Sequence, residues 1–571
     1  MAGADSGGSP GAHGSAAAVP VGVLDADRYA LFDGGAVLTR PDDRCQLRIW
    51  VGTEERWRRL ELEPALRSRV MSGSPLVRRS LRVSGGDLSV TAYGAIDAGG
   101  HPVAVLEVAN DGRAPLTLAV VASVDAAPAA PRWQVDGPTV RCDDRVALRA
   151  ARPWADVAGA GDLDGLVALL DARADRYRAA APAGPTDAAP AEPAPADPEV
   201  LGASGALTAR CVALVAPLAH ATTTTVVMPL DTAVGSGPAA SLAVAEPSGV
   251  GSAGPLAVAD ADTVASGWKR QLDAGARLAL PDGRLVDLVA ATRAQLLIDP
   301  ASPAALLARF GHLDAARTRL RHLLADPLAE LAQRARELVD LGGYLAVDPD
   351  RVAAEACLER LAELVALLER AERAPGATDD LGPWRRAAGD VLVAAGQHDV
   401  AAAIVAANRV SDARAHPAAG AGASAVALEA AGRWSTLSGA ADDAGVWGTY
   451  RTDRAAEFLD AVRDLLVDDS DAAVLRVAPG FPASWWGQPV EVYDLPTRSG
   501  LLSYALRWHG ERPALLWDVR DPAARDLSVS CPGLDPAWRA QGARGDALLD
   551  APSTVAPPGA AGPVEADGSF S

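Results

Sequence analysis

Three carboxylate stretches of this chain could support acid–base chemistry. Asp442 and Asp443 lie in Gly439-Ala440-Ala441-Asp442-Asp443-Ala444-Gly445-Val446-Trp447, with Tyr450 just beyond. Asp379 and Asp380 follow Thr378, and Asp299 sits in Leu297-Ile298-Asp299-Pro300. A pair of carboxyls can split a bond between them, one protonating the leaving oxygen while the other acts as base or nucleophile. Each stretch also has a plainer reading. An aspartate before proline commonly stops a helix, Thr378 with two aspartates is ordinary N-cap chemistry, and Asp442-Asp443 could be a solvated loop. The aromatic neighbours make Asp442 and Asp443 the preferred catalytic candidates.

Tryptophan usage supplies the second feature. The chain has 13 Trp against 5 Phe, and Trp447, Trp485 and Trp486 fall in loop-like contexts. An indole offers a flat apolar face, wide enough for a sugar ring, and an N–H that seeks a partner. Trp447, Tyr450, Trp485 and Trp486 are therefore the candidate substrate-binding residues. Filling a joint between helices and sheet is the alternative for each tryptophan. Trp384, Trp508 and Trp517 lie on periodic stripes and read as core.

The elements that would position these residues fall into three blocks. Residues 22–265 read mainly as short strands rich in β-branched and aromatic residues, such as Cys45 to Val51, Leu88 to Tyr93, Val103 to Val108, Leu116 to Val124 and Ser241 to Ala245. Asn110-Asp111-Gly112-Arg113 is a hairpin signal joining the strands on either side of it, and Gly85-Gly86-Asp87 is a similar turn signal. Leu163 to Ala180 reads as a helix that interrupts the strands, and the Pro/Ala/Asp-rich stretch about 181–205 as a mobile insertion. Residues 266–468 read as a series of about nine helices with short links, packed as αα-hairpins. Asp468, Asp469 and Ser470 read as the polar stop of the last helix. From 469 to 550 the period changes from 3.6 to 2: Leu502, Tyr504, Leu506 and Trp508 share one strand face, and Ala514 to Val519 returns as another strand. Residues 1–21 and 551–571 read as disordered tails.

The phrases AVRDLLV, Pro479-Gly480-Phe481-Pro482 and VEVYDLPTRSGLLSYALRWHG carry a likeness in this last block. A helix hands over to a small antiparallel sheet through a tryptophan-rich corner. That order resembles the C-terminal end of the six-hairpin glycosidase superfamily, of the glucoamylase and glycogen-debranching type, in a high-GC bacterial branch. The resemblance implies a multidomain α+β chain: an N-terminal antiparallel β-sandwich, a central toroid of paired α-helices that is incomplete here, and a small C-terminal β-domain. It implies a glycosidase-like protein, hydrolysing an α-glucan or glucoside if active. The chain departs from the pattern at Leu297-Ile298-Asp299-Pro300 and at Leu338-Val339-Asp340-Leu341, which lack the expected aromatic and Trp-acid pairs, so no catalytic residue is carried over. A catalytically degenerate carbohydrate- or protein-binding module and a structural scaffold stay open beside it.

Composition narrows the partners. The 571 residues carry a net charge of −20, and Lys269 is the only lysine. Such a chain repels phosphate backbones and anionic lipid, so carbohydrate is favoured over nucleic acid or membrane. Cys45, Cys142, Cys211, Cys357 and Cys531 are scattered and odd in number, which suggests neither disulfides nor a metal site and fits the cytoplasm. No cofactor is expected: there is no phosphate-binding loop and no HExxH pair. Gly7-Gly8-Ser9-Pro10-Gly11 matches a nucleophile elbow in spelling only, since no strand precedes it. The first residues lack the basic-then-apolar order of a signal peptide. Oligomeric state is not legible.

Overall fold

The computed structural model describes residues 18–52, 56–71, 73–83, 85–124, 129–173, 204–231, 256–316, 318–319, 450, 452–471, 473–522 and 526–550. The insertion about 181–205 falls outside them except for its last two residues. The strand expected at Ser241 to Ala245 and most of the hairpin series expected in 266–468 lie wholly outside. What is described is an α+β architecture built mainly of antiparallel sheets.

Two large sheets enclose one core. The eight-stranded sheet runs Val19–Val21, Ala30–Phe32, Leu38–Arg40, Cys45–Gly52, Leu116–Val124, Cys211–Leu218, Asp156–Ala160, with Trp57–Arg59 added on Cys45–Gly52. The nine-stranded sheet runs Ser204–Thr208, Arg132–Asp136, Thr139–Cys142, Arg145–Ala150, Thr222–Pro229, Pro102–Asn110, Gly86–Ile96, Val77–Val83, Arg67–Val70. Every pairing in both is antiparallel. Alternate side chains explain the layering. Leu118, Val120 and Ala122 meet Ala104, Leu106 and Val108 in the core between the sheets. Their neighbours Ala119 and Val121 point the other way, onto helix α1, Leu163–Ala172, through Leu166 and Leu170. Asp162 caps α1 by accepting the Gly165 N–H at 2.7 Å. A sheet covered on both faces needs apolar residues at every position, which is why these strands read as nearly unbroken apolar runs.

The expected hairpin at Asn110-Asp111-Gly112-Arg113 is not one. Pro102–Asn110 lies in the nine-stranded sheet and Leu116–Val124 in the eight-stranded sheet. The segment is a crossover between layers, held by buried Asn110. Its Nδ2 donates to the Ala114 and Ala219 carbonyls at 2.8 and 3.1 Å, and its Oδ1 accepts from the Gly112 N–H at 3.0 Å. The Asn110 side chain thus closes an Asx turn, while neither Asn110 nor Gly112 takes the positive φ that a tight hairpin would have used. The two strands part because each finds a partner elsewhere, Thr222–Pro229 and Cys211–Leu218. Gly85 and Gly86 do close a hairpin, between Val77–Val83 and Gly86–Ile96.

Among the described residues, α2 (Ala261–Asp273) packs on the outer face of the nine-stranded sheet against Gly86–Ile96, and α3 (Gly283–Ile298), α4 (Ala304–Arg309) and α5 (Thr452–Leu466) join the same core. Tyr93, Val103, Val105 and Val227 share a second core with Trp268 and Leu272 of α2, Leu296 and Leu297 of α3, and Phe458, Leu459 and Val462 of α5. The same core continues into two C-terminal sheets. Val490–Thr497, Gly500–His509, Arg512–Arg520 and Arg544–Leu548 form one, completed at its edge by Arg277–Ala279 from between α2 and α3. Val467–Asp471, Val474–Val477, Ser528–Cys531 and Asp535–Gln541 form the other, with one parallel pairing between its second and third strands. Leu502, Tyr504 and Leu506 point into the shared core, as the period of 2 requires.

α5 ends at Leu466, just ahead of the expected polar stop, but Asp469 is buried. Val467 opens a strand directly after α5, and the Asp469 carboxylate is buried in a fork with Arg463, Nη1 to Oδ1 at 3.0 Å and Nη2 to Oδ2 at 2.9 Å. The Arg498 N–H also donates to it at 2.9 Å, and Arg463 reaches the Pro496 carbonyl at 3.0 Å. This knot ties the C-terminal end of α5 to the hairpin of the C-terminal sheet.

Candidate functional site

The N-terminal end of α5 is the other polar junction, and it assembles three distant parts of the chain. The first is the end of α3, where Asp299 follows Ile298. The second is the start of α5, at Tyr450 and Thr452. The third is the turn after the first strand, from Leu24 to Tyr29. Two close approaches bring the third part in. A Cβ on Gly94 would lie 1.9 Å from the Gly22 carbonyl oxygen, and one on Gly22 would lie 2.9 Å from Ile298 Cγ2. Only glycine lets these backbones meet. The Tyr450 N–H then donates to the Ala18 carbonyl at 2.7 Å, joining the start of α5 to the first strand.

Asp299 is the centre of this junction and is 2% exposed. Its Oδ1 accepts the Ala301 N–H at 2.9 Å, and its Oδ2 accepts the Tyr450 hydroxyl at 2.9 Å and the Thr452 hydroxyl. Three donors satisfy a buried carboxylate that has no ion-pair partner among the described residues. Its charge is felt around it. Burial first, and the Asp299 charge second, push the Tyr29 phenol up to about 12. Tyr450 is raised further by the same two causes and by its hydrogen bond to Asp299. Arg319 is buried and donates to the Leu297 carbonyl at 3.1 Å. Burial lowers its pKa, while Asp25, Asp299 and Asp27 oppose the shift. Two buried polar atoms in this junction lack a hydrogen-bond partner among the described residues: Arg319 Nε and Ser302 Oγ.

Of the residues singled out in the sequence, Asp299 and Tyr450 are brought together across 151 positions. Asp442, Asp443, Trp447, Asp379 and Asp380 lie outside the described residues. Trp485 and Trp486 sit toward the opposite end of α5, where the Ala478 N–H donates to the Leu466 carbonyl. A helix of 15 residues puts about 22 Å between its ends. Trp485 is buried, its ring edge-on to Phe481 at 5.7 Å, and Trp486 is half-buried with an Nε1 that has no hydrogen-bond partner among the described residues. That is the joint-filling arrangement. Tyr29, Arg319, Thr452 and Ser302 join the junction although no local sequence pattern marks them, Tyr29 lying just ahead of the short strand Ala30–Phe32.

A second carboxylate pair lies further along α5. Asp460 and Asp464 are one helical turn apart, so they share a face. Arg309 Nη1 pairs with Asp460 at 3.0 Å. Burial, with Asp460 next, pushes Asp464 up to about 6 against the opposing charges of Arg463 and Arg309.

Among the described residues no group of three or more His, Cys, Asp and Glu could hold a metal ion, and no helix is long and apolar enough to cross a membrane. Cys45, Cys142, Cys211 and Cys531 are free thiols. No protein-family model and no curated protein matches this sequence.

Proposed function

We propose that the protein is a glycosidase-like carbohydrate-active protein whose sugar site borders the junction at the start of α5. One observation carries the reading. Asp299 and Tyr450 meet at 2.9 Å, where the helices face the turn bearing Asp25, Asp27 and Tyr29. A glycosidase needs two carboxyls across the scissile bond, and in the helical toroid that the resemblance implies they would be gathered at one end of the helices. Asp299 is a positioning residue in this reading: its oxygens are occupied by three donors, so it sets Tyr450 and does not protonate substrate. Asp442 and Asp443, eight and seven positions before Tyr450, are the proposed acid and base, with Trp447 as the platform beside them. The unpartnered Arg319 Nε and Ser302 Oγ are groups of the kind that a bound water or hydroxyl would satisfy. The protein is proposed to work in the cytoplasm.

A non-catalytic sugar-binding role is the second reading, favoured by the complete hydrogen bonding of Asp299. One screen separates the two. Hydrolysis and binding are measured on maltose, trehalose and glycogen with the unaltered chain, with Asp442→Ala/Asp443→Ala, and with Asp299→Asn. Hydrolysis lost in the double variant, with binding kept, supports catalysis at that pair. Binding without hydrolysis supports the second reading. A chain that neither binds nor cleaves any of the three sinks the carbohydrate assignment, and hydrolysis that survives the double change removes the pair.

A further inference from the structure

A cleft of about 200 Å³ at the strand ends of the nine-stranded sheet gathers four arginines: Arg141, Arg145 and Arg149 from that sheet and Arg40 from the facing one. In a chain of net charge −20, such a gathering needs a reason. Register explains part of it. Arg149 pairs with Thr139, and Val146 pairs with Arg141, the ladder slipping one residue between Val140 and Arg141. Thr139 and Arg141 are two apart on one strand and share a face, so Arg141 and Arg149 share it too. Arg149 also lies opposite Val227, which belongs to the outer-face core, so this is the sheet's outer side. Arg145 closes the two-residue turn at Asp143 and Asp144, both with positive φ.

The four arginines are not equivalent. Arg40 is buried and committed: its Nε and Nη2 hold Asp43 at 2.9 and 2.5 Å, and its Nη1 donates to the Pro229 carbonyl at 2.6 Å. Among the described residues, the Arg141 side chain makes only a 3.4 Å contact, to the Asp144 carbonyl. Among the described residues, Arg141, Arg145 and Arg149 pair with no carboxylate, although Asp97, Asp144 and Asp231 line the same cleft. Asp97 is occupied by its own loop, accepting the Gly99 and His101 N–H groups at 2.8 and 2.9 Å.

We propose that this cleft binds a small phosphate ester bearing hydroxyl groups. The guanidinium forks of Arg141, Arg145 and Arg149 take the phosphate oxygens, for which their planar donors are shaped. Asp144 and Asp231 accept the hydroxyls, and they repel a bare polyanion such as nucleic acid. The volume lies below the roughly 300–1,000 Å³ of drug-sized pockets, which limits the ligand to a single small molecule. The site uses none of the residues at the start of α5 and stands independently of the function proposed above.

The test is calorimetric titration of the full chain at low ionic strength with glucose 6-phosphate, glucose and inorganic phosphate. Saturable binding of glucose 6-phosphate is expected, tighter than either fragment. It should weaken at least about tenfold in Arg145→Gln/Arg149→Gln and in Arg141→Gln. Arg82→Gln, at an exposed pair with Asp87 in another hairpin, should leave it unchanged. Thermal melts check that each variant folds, and Arg149→Lys keeps the charge while removing the fork, so it should bind at intermediate strength. The proposal falls if the unaltered chain shows no saturable binding, if binding survives the double change, or if glucose alone binds as tightly as its phosphate.

Discussion

Both ends of α5 are anchored by a buried aspartate, and they solve the same problem in opposite ways. At the C-terminal end Asp469 meets a guanidinium fork, and charge cancels charge within 3 Å. At the N-terminal end Asp299 meets two hydroxyls and one amide, and its charge stays uncompensated by any direct ion pair among the described residues. Desolvation taxes both carboxylates, but only the first is repaid by a full countercharge. The first arrangement is rigid and closed. The second leaves a negative centre that perturbs Tyr29 and Tyr450, and environments of that kind concentrate at working sites. The contrast teaches that the fork is a fastener, while the hydroxyl-bound carboxylate is the better place to look for function.

Breaking the fastener should have the largest effect. Asp469→Ala leaves Arg463 charged and buried, and should cost about 3–5 kcal/mol in denaturant unfolding. It should not alter sugar affinity in whatever fraction stays folded. The pH dependence has a definite sign. Burial raises the Asp469 pKa, but Arg463 and the Arg498 N–H outweigh it, so the folded value lies below the ordinary 3.8. Its stabilisation is therefore present above the unfolded value and is lost as pH falls through the folded one. A chain whose stability gains nothing between pH 2 and pH 5 from this residue, judged against Asp469→Asn, would contradict that.

Loosening the other end should cost less. Asp299→Ala strands three donors and is expected to destabilise by about 2–3 kcal/mol. Tyr450→Phe removes one charge-assisted bond, at about 1.5 kcal/mol. The informative readout is binding: Tyr450→Phe and Asp299→Asn should change sugar affinity, and Asp469→Asn should not. Equal effects at both ends would erase the distinction between fastener and site.

The smallest effect has the opposite sign. Asp464 is raised to about 6, first by burial and then by Asp460. The folded chain thus holds a proton that the unfolded chain has released between pH 3.8 and 6, and stability falls as pH rises through that window. Asp464→Asn should therefore stabilise the protein at pH 7.5 by about 1 kcal/mol, after allowing for solvent screening of a partly exposed group, and hardly at all at pH 4. Melts at the two pH values check it. His312 works in the other direction. Burial and then the Arg293 charge hold it well below the usual histidine range, and it accepts from Arg293 Nε at 3.1 Å. Its stabilisation should be lost as pH drops below about 6.5, as the unfolded chain gains a proton that the folded one refuses.

What the residues determined by themselves is the local part. The β-branched run of Leu116 to Val124, the alternation over Leu502 to Trp508, the apolar face of α5, and the stop at Asp299 were all readable, because each follows from the composition or period of one segment against its own neighbours. Only the tertiary structure decided partnership. It sent the strands on either side of Asn110 into different sheets and recruited Arg277–Ala279 to the C-terminal sheet. It also turned Asp469 inward onto Arg463 and set Tyr450 against Asp299. Those outcomes depend on which surfaces meet after the chain has looped across itself. A period of 2 or 3.6 states which face is apolar but not what will cover it, and an aspartate at the end of a helix looks the same in sequence whether water or a buried donor awaits it.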